Sequence, residues 1–81
     1  MSAADVVREL KARGETVATA ESLTAGLVAA EITTVPGASA VLRGGLVVYA
    51  TDLKASLAGV DAALLAAHGA VHPEVARQLA E

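Results

Sequence analysis

The chain changes periodicity once between Thr16 and Thr33, across Glu21-Ser22-Leu23-Thr24-Ala25-Gly26, and this change constrains the fold more than any other feature. Before it, Thr16 to Ala20 is short and alternately β-branched, which predicts a strand. After it, Leu23 to Thr33 carries Leu27, Val28, Glu31 and Ile32 in a pattern that predicts a helix. A strand that hands over to a helix opens an α/β unit. A helix N-terminus leaves backbone N–H groups unpaired and partially positive, so it suits an anion or a developing oxyanion. Ser22, at that mouth, is either a helix cap or a nucleophile. Ala25 and Gly26 are small enough to let a strand or ligand approach closely.

The remaining chain extends the α/β pattern. Val6, Val7 and Leu10 place an apolar stripe on a first helix over Ala3 to Arg13, with Ser2 as its N-cap and Gly14 as its stop. Val35-Pro36-Gly37-Ala38 predicts a turn. Ala40 to Leu42 and Leu46 to Tyr49 bracket Arg43-Gly44-Gly45, either as one strand with a glycine bend or as a connector followed by a strand. Leu46 to Tyr49 is apolar on both faces, as a buried strand is. Thr51 or Asp52 then caps a short helix through Leu57, Asp61 to His68 forms another, and His72-Pro73 opens a last one. The expected class is α/β: a small, largely parallel sheet of two to three strands flanked by helices. So small a sheet is marginal by itself. Residues 1–81 therefore predict a single partial domain, poorly stable as a monomer and completed by a partner chain or by further sequence.

Composition excludes several functions. Hydrophobic residues make up 54% of the chain but include a single aromatic, Tyr49, so Ala, Val and Leu must build the core. Cysteine is absent, which removes disulfides and thiolate metal sites. His68 and His72 lie four apart with Gly69 between them and no third ligand nearby, so no metal site is expected. The net charge of −3, with mixed signs, gives no footprint for nucleic acid or an anionic membrane. No apolar run reaches the ~20 residues of a spanning helix, and the N-terminus lacks a signal-peptide layout. The expectation is a cytoplasmic protein.

Chemistry concentrates in two places. Ser22 follows the C-terminal end of the first strand and Tyr49 ends the second, at the sheet edge where α/β proteins bind ligands. If Thr51 caps the next helix, Lys54 holds its third position, where the dipole disfavours an ammonium, as a lysine base requires. Asp52 partly offsets that effect. Parallel neighbouring strands would bring Ser22, Tyr49 and Lys54 to one rim. Ser22 would then attack an acyl carbon, Lys54 would take its proton directly or through Tyr49, and N–H groups near Thr24 and Ala25 would stabilise the oxyanion. The same residues are also compatible with a capping serine, a solvated lysine and a tyrosine hydroxyl in water. Spacing alone leaves both readings open.

Glu21-Ser-Leu-Thr-Ala-Gly26, Val35-Pro-Gly-Ala-Ser-Ala40, Arg43-Gly-Gly45, Tyr49 with Lys54 five residues on, and His68-Gly-Ala-Val71 occur in this order. Together they resemble the C-terminal domain of the CinA (competence/damage-inducible) family, the nicotinamide-nucleotide amidases, over its N-terminal half. The resemblance implies a three-layer α/β/α domain, commonly oligomeric. It also implies hydrolysis of nicotinamide mononucleotide to nicotinic acid mononucleotide and ammonia, without metal or cofactor. By motif position the catalytic residues are Ser22, Tyr49 and Lys54, with Thr24, Ala25 and Gly26 at the substrate. Ala25 stands where the family usually has glycine, and Thr51 where asparagine is usual. The family domain extends well beyond this length, into a glycine-rich segment that helps hold the nucleotide phosphate. The implied partners are a nucleotide substrate and either further copies of the chain or a complementing C-terminal half. The alternative is a non-catalytic relative that acts as a nucleotide-binding or assembly module.

Overall fold

A computed structural model describes residues 1–81. Helix α1 spans Ala3–Arg13 and is closed by a capping box. The Ser2 hydroxyl accepts from the Asp5 N–H at 3.2 Å while the Asp5 carboxylate accepts from the Ser2 N–H at 2.9 Å. Strand β1 (Val17–Glu21) leads through a turn to α2 (Leu27–Thr33). A single 3₁₀ turn at Ala38–Ala40 then returns the chain to β2 (Leu42–Val47). Three short helices follow: α3 (Thr51–Ser56), α4 (Ala62–His68) and α5 (Pro73–Ala80).

β1 and β2 pair in parallel as a two-stranded sheet, with α2 in the crossover. Val17 pairs with Leu42, and the register then slips so that Ala18 to Glu21 face Gly44 to Val47. Val17 turns towards the cluster of Val7, Ile32, Ala38 and Val41 that joins α1 and α2 to the sheet. Ala18 and Ala20, which alternate with it, line a groove walled by α5. Helices therefore lie on both sides of the sheet, in the α/β arrangement expected. A second cluster, Val60, Leu65 and Val75, holds α4 and α5 together.

Three expectations are corrected. The second helix starts at Leu27, not Leu23, because Ser22 to Gly26 forms a turn. The Ser22 carbonyl accepts from the Ala25 N–H at 3.0 Å, and Ala25 adopts a left-handed φ of 54° followed by Gly26 at 99°. A left-handed residue costs a side-chain-bearing amino acid about 1–2 kcal/mol, a cost that glycine at position 25 would avoid. The second strand takes the first of its two expected forms, one strand running through Gly44-Gly45 over Leu42–Val47, but it is not buried on both faces. Leu46 and Val47 are nearly half exposed, and only Val48, just past the strand, is fully covered. A two-stranded sheet gives β2 no outer neighbour, so its apolar residues lack a partner surface. Finally, Ala50 precedes α3 without a side-chain cap, which makes Thr51 its first residue and Lys54 its fourth.

Candidate active site

The turn after β1 is organised by Glu21. Its side chain is buried between the sheet and α2, and both carboxylate oxygens are engaged. One accepts from the Thr24 hydroxyl at 2.7 Å and the Val28 N–H at 2.8 Å. The other accepts from the Ala29 N–H at 3.0 Å and the Thr19 hydroxyl at 3.3 Å. The helix mouth is thus occupied by the protein's own carboxylate, and Ser22 is not the cap. Burial pushes the Glu21 carboxyl up, but the hydrogen bonds from Thr24, Val28, Ala29 and Thr19 outweigh it and hold it at about 2.

That depression fixes the sign of an acid response. A carboxyl held below its ordinary 4.5 binds protons less readily folded than unfolded. Its contribution is complete above the ordinary value and is lost as pH falls from there towards about 2. Glu74, paired with Arg77 on α5, is held at a similar value but is far more exposed, so solvent screens its share. Glu21→Gln is expected to remove most of the fall in melting temperature across this range, and Glu74→Gln little of it. The reverse order in melts followed by circular dichroism would overturn that assignment.

The second wall is the segment after β2. The Val48 N–H donates to the Glu21 carbonyl at 2.8 Å, one step past the last strand pair. Lys54 folds back from α3, 98% buried, and donates Nζ to the carbonyls of Val48 at 2.7 Å and Tyr49 at 3.1 Å. It is not the solvated lysine that a charged side chain on a short helix suggests. The backbone of Val48 consequently links the two segments, its N–H donating to the residue before Ser22 and its C=O accepting from Lys54. Ser22 and Tyr49 both follow the C-terminal ends of parallel, adjacent strands.

The hydroxyls of Ser22 and Tyr49 take no part in the hydrogen bonds that build these walls. Ser22 is half-buried and lines the groove, about 820 Å³ in volume, with Ala20, Leu46, Leu57 and Leu79. Tyr49 and Lys54 do not line it, and Tyr49 is 69% exposed. Lys54 reaches Tyr49 through the backbone carbonyl, not the phenol. The Ala25 N–H, a candidate oxyanion donor, is already engaged by the Ser22 carbonyl. Away from the site, the His68 and His72 rings meet in a tilted contact, with centroids 4.7 Å apart and planes inclined by 32°. His72 Nδ1 accepts from the Glu74 N–H at 3.1 Å and caps α5. No helix is long and apolar enough to cross a membrane.

The family model described as the CinA C-terminal domain matches residues 1–81. A CinA-like protein of Anaeromyxobacter sp. (strain Fw109-5) is 60% identical over 76 residues, covering 94% of this chain and 18% of that protein. A CinA-like protein of Mycolicibacterium paratuberculosis is 53% identical over 76 residues, covering 94% and 17%. The crystal structure of competence/damage inducible protein CihA from Agrobacterium tumefaciens superposes with a TM-score of 0.92 at 38% identity. It is matched over 95% of this chain and 47% of that one. The competence damage-inducible protein A (ComA) of Klebsiella pneumoniae gives 0.91 at 34% identity, with 95% and 48% covered. The chain thus spans about half the length of these solved structures and under a fifth of these longer relatives. The walls linked by Glu21, Val48 and Lys54 sit on a chain that belongs to the CinA C-terminal domain family.

Proposed function

We propose that the chain carries the nucleophile side of an amide hydrolase acting on nicotinamide mononucleotide. Water and the carboxamide give nicotinic acid mononucleotide and ammonia. The observation that carries this reading is the shared residue Val48, whose N–H is held by Glu21 on the Ser22 side and whose C=O is held by Lys54 on the other. Ser22 Oγ attacks the carboxamide carbon and its proton passes to Lys54 once Nζ is neutral. Lys54 returns a proton to the departing nitrogen, and water then hydrolyses the acyl-serine. Tyr49 relays the proton by turning its free phenol towards the rim. Thr24, Ala25 and Gly26 border the substrate, and the Thr24 N–H is the candidate for the oxyanion, since the Ala25 N–H is engaged by the Ser22 carbonyl. The partner under this reading is a further copy of the chain or a complementing C-terminal half, in the cytoplasm.

Ammonia release from nicotinamide mononucleotide, by the chain alone or with such a half, tests the proposal. Ser22→Ala and Lys54→Met are expected to lower it at least ~100-fold, within the range that acid–base catalysis contributes. Methionine is chosen because it preserves the buried volume at position 54. No ammonia under either condition would sink the assignment. The exposed Tyr49 ring and the two carbonyls that engage Lys54 favour one second reading, a non-catalytic nucleotide-binding or assembly module. Nucleotide binding without turnover, unchanged by Ser22→Ala, would select it.

A further inference from the structure

We infer that Glu21 is a positioning residue that sets Ser22 against Lys54, a role that rests on the proposed Ser–Lys reading and deepens it. Glu21 cannot itself serve as the base. Four donors converge on its two oxygens, two hydroxyls and two backbone N–H groups, and because these bonds favour the charged form the carboxylate takes up a proton poorly. The same four bonds fix the turn that bears Ser22. Thr24 is held from within the turn, Val28 and Ala29 from the start of α2, and Thr19 from β1.

The backbone of Glu21 completes the link. Its carbonyl accepts from Val48, and the Val48 carbonyl accepts from Lys54 Nζ. One residue therefore fixes the nucleophile's turn through its side chain and registers that turn on the lysine's anchor through its main chain. Gln at position 21 keeps the size but presents an amide donor to one of the donors that the carboxylate satisfied. The turn must then shift, and Ser22 shifts with it, because the two residues share a peptide bond.

A thiol probe reads this geometry whether or not the chain turns over nucleotide. In the full chain carrying Ser22→Cys, the pH midpoint of alkylation by iodoacetamide reports how closely the Lys54 ammonium stabilises the thiolate. A free cysteine gives about 8.5. Lys54→Met in that background is expected to raise the midpoint, which measures the pairing itself. Glu21→Gln is also expected to raise it, by about half a unit or more. Removal of a nearby negative charge without movement would lower it instead, so the two explanations differ in sign.

Thr24→Val, which deletes one donor at an exposed position, is expected to raise the midpoint by less, and Thr24→Ser to leave it in place. These variants supply the answer if Glu21→Gln does not fold. A rise with Lys54→Met but none with Glu21→Gln or Thr24→Val overturns the positioning role alone. No response to Lys54→Met overturns the Ser–Lys pairing and, with it, this role.

Discussion

Lys54→Ala is expected to abolish the cooperative unfolding transition of the chain at room temperature, while Lys54→Met preserves it. The margin available is small. Ten of the 81 residues are buried, and the core divides into separate clusters of four and three residues. The radius of gyration is 14.1 Å, against about 12 Å for a compact domain of this length. An ordinary domain of this size has about 4–12 kcal/mol of stability, and so thin a core places this chain at the low end. Truncation of a buried unbranched side chain to alanine costs about 2–5 kcal/mol. At position 54 it also strips the Val48 and Tyr49 carbonyls of a donor, about 1 kcal/mol for each hydrogen bond lost. Methionine forfeits the hydrogen bonds but fills the space. Urea titrations followed by circular dichroism at several protein concentrations test this, since association would raise the midpoint with concentration. A wild-type midpoint for the alanine variant would mean that the buried stem carries no weight.

What could be read from the sequence was local. Ser2, Gly14, Asp61 and His72-Pro73 each bound a helix through contacts within a few residues, and each lies where its type predicts. The crossover from β1 to β2, and hence the parallel pairing, followed from the same alternation. The site's key contacts are not local in that sense. Glu21 caps α2 from seven and eight residues upstream, so no capping pattern around Ser22 or Leu23 could reveal it. A lysine four residues into a short helix reads as a surface charge, and only the backward path of its stem to Val48 explains its burial. Hydrophobicity at Leu46 and Val47 signals a need for cover, not its presence, and the two-stranded sheet leaves that need unmet. Glu21 could still have been suspected, because a carboxylate between a strand and a helix mouth has a dipole to answer.

Gly45→Ala carries the other large expected effect, and its size should depend on Thr19. A Cβ at position 45 would lie well inside van der Waals contact of Thr19 Oγ1, on the strand paired with it. Overpacking of this kind costs about 1–3 kcal/mol, more than the ~0.5–1 kcal/mol gained by replacing a strand glycine. Thr19→Ala alone loses only the long hydrogen bond to Glu21 at 3.3 Å. It should nevertheless recover most of the loss when combined with Gly45→Ala, because it removes the atom that collides. A double-mutant cycle is therefore expected to show a coupling of about 1 kcal/mol or more, where independent sites would add. Strict additivity would place the cause elsewhere than this contact. The consequence reaches the site, because Gly45 and Ser22 line one groove and Thr19 is among the four donors to Glu21. A side chain that pushes Thr19 aside should loosen the carboxylate that holds the nucleophile's turn, so Gly45→Ala should also move the alkylation midpoint of a cysteine at position 22 in the direction of Glu21→Gln.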